Sequence, residues 1–201
     1  MIIGLTGQIG AGKSAAGRIL AGLGALVVDA DLIGRQVVDQ SPELRKKLVK
    51  AFGDEILDRK RGINRGKLAA LAFTDLDSRD KLNRIVHPFL LKELRKQVKA
   101  GRRTHEVVVI DAALLLFWRM DREADLVLVI HASRQSRVKR MRARGITARD
   151  TLAREKAQLP YSEFQRRSDR LILNNGTIKD LERKIRCFWQ ENVVAGRAVC
   201  H

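Results

Sequence analysis

The sequence predicts an α/β fold in which a five-stranded parallel sheet is covered by helices on both faces. Five short runs are apolar throughout rather than alternating, which is typical of strands buried on both faces. Helical stretches separate these runs along the chain, as in a doubly wound sheet. The predicted strands are residues 1–6, 25–29, 106–111, 125–130 and 170–173.

The first loop carries a phosphate-binding signature. Residues 7–14 read G-Q-I-G-A-G-K-S, the G-x-x-x-x-G-K-S pattern of a P-loop, between the first predicted strand and a helical stretch. Glycines let the backbone wrap around phosphates, and the following helix adds positive potential at its N-terminus. The pattern predicts that Lys13 reaches the β- and γ-phosphates of a nucleotide and that Ser14 ligates Mg²⁺.

Acidic residues stand at the ends of two predicted strands. Asp29 and Asp31 follow the second strand, and Asp111 ends the third. Ligands of open α/β sheets bind beyond the carboxyl ends of the strands. Asp29 and Asp31 could take a proton from a substrate hydroxyl or organise Mg²⁺, but Asp31 also suits the N-cap of the next helix. Asp111 has the position of a Mg²⁺-holding acid, with a solvated strand-end carboxylate as the alternative.

Composition limits the function classes. The 201 residues carry a formal net charge of +17, which favours polyanionic partners, either nucleotides or nucleic acid. No apolar run reaches the roughly 18 residues of a membrane span, and no signal peptide is recognisable, so we expect a cytoplasmic protein without membrane contact. Cys187 and Cys200 have neither metal-ligand nor disulfide spacing.

Two further segments are longer than the predicted sheet and its connecting helices require. Residues 32–101 are mainly helical and far longer than one crossover helix requires, which indicates a helical insertion. A basic cluster follows the fourth strand, in which Arg137, Arg140 and Arg144 have the spacing of one helix face before a break at Gly145. After a P-loop, this pattern predicts a lid over a triphosphate. A solvated basic face or a nucleic-acid patch is the alternative.

The ordered motifs of the chain resemble the dephospho-coenzyme A kinase family over residues 3 to about 181. A P-loop alone indicates only a superfamily, whereas the Asp-x-Asp, His-Pro and Asn-Asn-Gly words in this order are more specific. The words that carry the resemblance are residues 4–14, Asp29-Ala30-Asp31 with Arg35, Phe52-Gly53, residues 64–68 with Ala72-Phe73, residues 82–88, Asp111 with Leu114-Leu115, Arg140, Arg144, Gln158, Ser168-Asp169 and Asn174-Asn175-Gly176.

The resemblance implies ATP-dependent phosphorylation of the ribose 3′-hydroxyl of dephospho-coenzyme A, giving coenzyme A and ADP, with ATP and Mg²⁺ bound. It also implies a P-loop kinase core with a five-stranded parallel sheet, a helical acceptor-binding insertion and an arginine-rich lid. The predicted bounds are 1–31, 102–136 and 166–191 for the core, 32–101 for the acceptor domain, 137–165 for the lid and 192–201 for a flexible tail.

The same resemblance assigns roles to individual residues. Asp31, Lys13 and Arg140 form the catalytic group, with Asp31 as the base at the 3′-hydroxyl. Ser14 and Asp111 hold the metal. The acceptor residues are Asp31, Arg35, Arg65, Asn83, His87 and Leu114. The nucleotide residues are Gly10, Ala11, Gly12, Lys13, Ser14, Ala15, Arg140, Arg144, Asn174, Asn175 and Gly176. As local sequence alone, His87-Pro88 could instead end a helix, and Asn175-Gly176 could be only a turn.

The chain departs from the family pattern at four positions: Gln8 replaces a common glycine, Asn64 a common aspartate, Ala113 a common proline and Phe117 a common glutamate.

Two other functions are compatible with a P-loop. A nucleoside monophosphate kinase or similar small-molecule kinase is disfavoured by the long insertion and by Asp29-Ala30-Asp31. A basic nucleic-acid-binding P-loop protein would explain the charge. It is disfavoured because aromatic residues are only 4% of the chain, which leaves few stacking platforms for bases.

Overall fold

The computed structural model describes residues 1–195. Its sheet has five strands in the order β2-β3-β1-β4-β5, and the β1–β3, β1–β4 and β4–β5 pairs are parallel with defined register. The five-stranded parallel sheet predicted from the apolar runs is confirmed. The strands are β1 (Ile2–Thr6), β2 (Leu26–Asp29), β3 (Val108–Asp111), β4 (Leu126–His131) and β5 (Arg170–Leu173).

Nine α-helices connect and cover these strands in the described part of the chain. They are α1 (Lys13–Gly22), α2 (Ala30–Gln40), α3 (Pro42–Phe52), α4 (Arg65–Ala72), α5 (Leu76–Gly101), α6 (Arg134–Arg142), α7 (Ala148–Lys156), α8 (Tyr161–Arg166) and α9 (Ile178–Trp189). None of the helices within residues 1–195 is long and apolar enough to cross a membrane.

The chain divides into two compact units. One comprises Met1–Val28 and the described residues from Ala100 onward, and the other comprises Asp29–Lys99. The first unit therefore holds nearly all of the sheet together with α1 and α6 to α9. The second holds α2 to α4 and most of α5. The roles of a core, an acceptor domain and a lid for these segments stay predictions.

The core of the first unit forms where the sheet meets α1 and α9. Every residue of β1 is buried, because helices cover both sheet faces. On α9, Leu181, Ile185 and Phe188 recur at helical spacing and enter the same cluster as Ile3 and Leu128. A capping box of Thr177 and Asp180 starts α9 and aligns its apolar stripe with the sheet.

The second unit has its own smaller core. Leu44 and Leu48 of α3 pack with Ile56 and Leu68. Helix α3 begins at Pro42: Ser41 Oγ accepts a hydrogen bond from Leu44 N at 3.2 Å, and Pro42 occupies the first turn, where no amide hydrogen is needed. Each unit thus buries an independent apolar cluster, which is what a domain requires.

The alternative that His87-Pro88 ends a helix is wrong. Pro88 lies inside α5, a helix of 26 residues. Proline cannot donate to the carbonyl four residues earlier, which belongs to Arg84. Arg84 is exposed, so water can reach that side of the helix. The apolar stripe formed by Leu82, Ile85 and Phe89 continues through the proline and outweighs its local preference.

The start of the predicted flexible tail is also wrong. Residues Gln190–Val194 continue α9 as one π-helical turn, and Val193 is 3% exposed in the core cluster of the first unit. Val193 follows Trp189 by four residues, so it extends the buried stripe of α9. Residues 196–201 of the predicted tail lie outside the described residues.

Truncation of Val193 tests this C-terminal turn. Val193→Ala should lower the free energy of unfolding by about 1–3 kcal/mol, because it removes buried methyl groups and leaves a small cavity. Val194→Ala is the matched control, since Val194 is 42% exposed and should change stability by under about 0.5 kcal/mol. Urea unfolding at equilibrium measures both. Equal, negligible changes would mean that this turn does not pack in solution.

Candidate nucleotide-binding site

The P-loop has a backbone that only glycine fits at two positions. Gly10 and Gly12 have positive φ angles of 75° and 106°. A Cβ atom on Gly12 would lie 2.3 Å from the side-chain nitrogen of Asn174, which is far inside van der Waals contact. Gly12 is also the N-cap of α1 and makes no side-chain cap, so the helix start presents only backbone there. This is the geometry of an anion-binding helix terminus.

Lys13 and Asp111 meet at the base of this loop. The Lys13 ammonium forms an ion pair with the Asp111 carboxylate, and their side chains are only 13% and 6% exposed. A Cβ on Gly17 would lie 3.3 Å from Asp111 Oδ2, so the carboxylate rests against the second turn of α1. Asp111 is therefore not the solvated strand-end carboxylate of the alternative. The two buried charges compensate each other, so a charged group of a ligand could take the place of either partner.

Arg140 and Asn174 hold the P-loop through its carbonyl groups. Arg140 Nη1 donates to Ala11 O at 3.2 Å, and Asn174 Nδ2 donates to the same oxygen at 2.8 Å. Arg140 Nη2 donates to Asn174 O at 2.8 Å. Arg140 and Asn174, two of the predicted nucleotide residues, are thus brought to the predicted phosphate loop.

The Asn-Asn-Gly word is more than a turn. Asn174 is buried. Its backbone nitrogen donates to His131 O at 2.7 Å, which continues the contact between β4 and β5. Asn175 Oδ1 accepts from Ser133 N at 2.8 Å. The word therefore connects the end of β5 to the start of α6 and to the P-loop, which a simple turn would not require.

The predicted arginine face of the lid is wrong in part. α6 ends at Arg142, so Arg144 lies beyond it, and Gly145, with φ 78°, follows. Arg137 turns inward: its Nε donates to Ala132 O at 3.0 Å and its Nη2 to Glu155 Oε1 at 3.0 Å. The Arg137 side chain therefore connects α6 to α7, whereas the Arg140 side chain donates hydrogen bonds to the P-loop.

Two groups in the segment from α6 to α7 have a lowered pKa. Burial, followed by the positive charge of Arg144, lowers the pKa of Arg140. Burial alone would raise the pKa of Glu155 and is the largest single influence on it. The hydrogen bonds and charges of Arg137 and Arg134 together outweigh burial, so the pKa of Glu155 is lowered. Glu155 is thus ionised wherever the fold is intact at neutral pH.

The two acids after β2 divide their roles. Asp29 is the N-cap of α2, and its Oδ1 accepts from Asp31 N at 2.8 Å and from Leu32 N at 3.0 Å. Asp31 lies in the first turn of α2 and is exposed. The alternative that Asp31 is the cap is therefore wrong, because α2 begins at Ala30, one residue before it.

The predicted acceptor residues fall in both units. Arg35, Arg65, Asn83 and His87 lie in the second unit, whereas Leu114 lies in the first. Arg65 makes an exposed ion pair with Asp39 at 3.5 Å. Burial lowers the pKa of His87, which keeps its ring neutral at neutral pH. Binding of an acceptor by these residues stays a prediction.

Asn64 and Phe117, where the chain departs from the family pattern, have different surroundings. Asn64 caps α4 by accepting from Lys67 N at 3.0 Å, so the exchange for aspartate preserves the cap. Phe117 follows β3 with its side chain 60% exposed, so an aromatic ring is presented to solvent where the family has a carboxylate.

Comparison with known proteins identifies the family. A profile described as dephospho-CoA kinase matches residues 1–180. The chain belongs to the dephospho-CoA kinase family. A relative named dephospho-CoA kinase from Corynebacterium glutamicum is 36% identical over 195 residues, covering 96% of this chain and 97% of its own. One of the same name from Geobacter sulfurreducens is 39% identical over 191 residues, covering 94% and 96%.

Solved structures agree with this family fold. A Thermus thermophilus crystal structure matches with a TM-score of 0.79 and 31% identity, covering 95% of this chain and 97% of its own. Dephospho-CoA kinase from Campylobacter jejuni gives a TM-score of 0.73 at 20% identity, with 97% and 98% covered. Shikimate kinase from Acinetobacter baumannii, a P-loop kinase, matches with a TM-score of 0.54 at 16% identity. It has the same fold as this chain.

The ion pair of Arg137 and Glu155 should contribute to the free energy of unfolding in a way that depends on pH. Because the folded pKa of Glu155 is lowered, its contribution is present above the carboxyl pKa of the unfolded chain and is lost as the pH falls through the folded pKa. Urea unfolding should show Glu155→Gln less stable than wild type near neutral pH, by about 1–3 kcal/mol for a charged hydrogen bond. The difference should shrink as the pH falls from about 5 to 3.

Glu182→Gln serves as the control for this titration. Glu182 forms an exposed i,i+4 pair with Arg186 at 2.8 Å, and such pairs contribute little. A stability difference for Glu155→Gln that stays constant across the acid range would contradict an ionised Glu155 in its ion pair with Arg137.

Proposed function

We propose that this protein transfers the γ-phosphoryl group of ATP to the ribose 3′-hydroxyl of dephospho-CoA and forms CoA and ADP. The observation that carries the proposal is the Lys13–Asp111 pair in a P-loop, in a chain that belongs to the dephospho-CoA kinase family. No specific feature of the structure favours another small-molecule kinase or a nucleic-acid-binding protein. The cytoplasmic location stays a prediction.

The triphosphate subsite is supported by backbone and charge together. The start of α1 offers an anion-binding terminus, and Lys13 supplies a point charge for the transferring phosphoryl group. Burial, and then the positive charge of Arg144, lower the pKa of Arg140, so an anion beside these two cations would stabilise both. In this proposal, Arg140 and Arg144 neutralise negative charge on the phosphate chain as it moves in transfer.

The donors present at the loop fit Mg²⁺. Residues 1–195 contain no cluster of three or more His, Cys, Asp or Glu side chains that could hold a metal. Mg²⁺ with ATP needs only one or two protein oxygens, because phosphates and water complete its octahedron. The exposed Ser14 hydroxyl at the start of α1 and the buried Asp111 carboxylate would hold it. When bound, the ion neutralises charge on the β- and γ-phosphate oxygens.

Lys13 has two successive partners in this scheme. Its ammonium is held by Asp111 at the base of the loop, which keeps a long cationic side chain in one place. We propose that Lys13 would donate to the γ-phosphate of a bound nucleotide and that Asp111 would then help to hold the metal. Placement by an ion pair reduces the conformational freedom that Lys13 loses when the nucleotide binds.

Asp31 is proposed as the base that accepts the proton of the acceptor hydroxyl. Asp29 already satisfies the amide groups at the start of α2, so capping does not engage the Asp31 carboxylate. Asp31 follows the carboxyl end of β2, where ligands of open α/β sheets bind.

A coupled ADP-release assay with Mg·ATP tests the substrate. Dephospho-CoA should be phosphorylated with high efficiency, whereas AMP, CMP and pantetheine should each react at least about 100-fold less efficiently, because only dephospho-CoA satisfies the whole site. Phosphate analysis of the product should place the new group on the 3′-oxygen. Turnover of a nucleoside monophosphate without turnover of dephospho-CoA would refute the proposal.

Asp31→Asn separates the base from the cap. The variant should unfold at nearly the wild-type temperature, because Asp31 does not cap α2. Its kcat should fall by roughly 10²–10⁴-fold, the usual contribution of general-base catalysis. A loose transition state places the loss toward the lower end of that range.

Asp29→Asn is the neighbouring control for Asp31→Asn. Asparagine caps as well as aspartate, so stability should be retained, and kcat should fall far less than in Asp31→Asn. Wild-type kcat in Asp31→Asn at saturating substrates would leave Asp31 without a catalytic role.

A further inference from the structure

A cavity of about 710 Å³ lies among α6, α7 and α8 in the first unit, and we name it the lid cavity. It reaches the P-loop only at Gln8, and it reaches the sheet at His131, the last residue of β4. Neither Lys13 nor Arg140 lines it. The lid cavity is therefore a separate space beside the phosphate loop, of the size that small-molecule sites have.

One wall of the lid cavity is apolar. It consists of Leu152 of α7, Leu159, Pro160 and Tyr161 at the start of α8. The Tyr161 ring stacks on the His131 ring with centroids 4.0 Å apart. Burial, and then the charge of Arg137, lower the pKa of His131, so the His131 ring is uncharged at neutral pH.

Polar and charged residues also line the lid cavity: Arg134, Lys156, Gln158 and three side chains that each have an unpartnered buried atom. Gln8 Oε1, Arg137 Nη1 and Glu155 Oε2 are buried and have no hydrogen-bond partner among residues 1–195. Gln8 is only 6% exposed. Buried polar atoms without partners are costly, and each of these side chains could offer its atom to a ligand by a small rotation. Two acceptors and one donor thus stand beside an apolar wall.

We propose that the lid cavity binds the pantetheine arm of the acceptor, an inference that rests on the proposed function. Pantetheine is an uncharged chain in which methyl and methylene groups alternate with one hydroxyl and two amides. Its amide and hydroxyl groups supply both donors and acceptors for Gln8, Arg137 and Glu155, and its apolar carbons match the wall. Arg134 and Arg137 both pair with the Glu155 carboxylate, so part of the positive charge of the lining is already offset without a ligand anion.

Gln8 gives the lid cavity its link to the reaction. Gln8 and Lys13 belong to one loop, and the next amide, Ile9 N, donates to Gln158 Oε1 at 2.9 Å at the cavity edge. An arm held at Gln8 is therefore held by the loop that holds the phosphates. Because the family commonly has glycine at this position, contact with the Gln8 amide is a specificity feature of this chain.

Steady-state kinetics and binding on the full-length protein test the inference. The acceptors are dephospho-CoA and ADP-ribose, which keeps the adenosine 3′-hydroxyl and the diphosphate but lacks the pantetheine arm. Leu152→Trp fills the lid cavity from its half-exposed wall, and Val194→Trp adds the same bulk at an exposed site away from it. Titration calorimetry of each acceptor without ATP provides a readout that is independent of turnover.

Leu152→Trp should raise the KM and the Kd of dephospho-CoA by about 10-fold or more, with the KM of ATP and the Kd of ADP-ribose within about twofold of wild type. Val194→Trp should leave all four values unchanged. Gln8→Met should raise the KM of dephospho-CoA by about 3- to 10-fold for a lost neutral hydrogen bond. It should not lower the melting temperature of the ligand-free protein, because the amide oxygen it removes has no partner there.

Three results would overturn the inference. The KM of ATP could rise in Leu152→Trp as much as that of dephospho-CoA, the variants could leave dephospho-CoA unaffected, or wild type could bind ADP-ribose as tightly as dephospho-CoA. Failure of the proposed function is distinguishable, because wild type would then not phosphorylate dephospho-CoA at all, whereas the calorimetric comparison still reports on the lid cavity.

Discussion

The carbonyl oxygen of Ala11 accepts two hydrogen bonds, one from Arg140 and one from Asn174, and the nucleotide site depends on this contact. A P-loop must present its amide hydrogens to the ligand, so its carbonyls face the protein and need donors there. Arg140 comes from helix α6 and Asn174 from the connection after β5. Three parts of the chain that are distant in sequence are thereby joined at one oxygen.

This contact also limits which side chains the loop can carry. Asn174 Nδ2 approaches Ala11 O at 2.8 Å and would lie 2.3 Å from a Cβ on Gly12. The same side chain that satisfies one loop carbonyl thus forbids a side chain on the next residue. The Arg140 guanidinium beside it adds positive potential to the loop. Some of its N–H groups donate to carbonyl oxygens of the protein. Arg140 therefore has a positioning role in the loop as well as its proposed role toward phosphate.

The fold was largely predictable because its signals are local and strong. Uninterrupted apolar runs mark strands that are covered on both faces, and the P-loop pattern fixes the first loop and helix. The errors arose where a longer-range stripe outweighed local preference. Pro88 lies within α5 because apolar residues on both sides of it pack into one core, and Val193 is buried because it extends the stripe of α9.

The chemistry of the site was predictable from the sequence. Which arginine contacts the P-loop and which pairs with a buried acid was not. Spacing alone placed Arg137, Arg140 and Arg144 on one helix face, yet spacing does not tell where a helix ends or which arginine finds a buried acid. Glu155 was missed because a single carboxylate in a basic segment has no pattern. Its importance appears only when α7 packs on α6 and Arg137 is 3% exposed. The lid cavity was missed for the same reason, since its lining comes from three helices and a strand end.

Asp29 and Asp31 show how two like residues acquire different chemistry from one helix start. The residue that ends β2 keeps an extended backbone, so its carboxylate folds back on the amides of the next turn. Asp31 is already helical, and its side chain projects from the first turn while the cap contact is made by its neighbour. A capped helix start is a fixed platform, because its orphan amides are satisfied by Asp29 rather than by water. Asp29 therefore stabilises the position from which Asp31 would act, and the two carboxylates are not interchangeable even though they lie two residues apart.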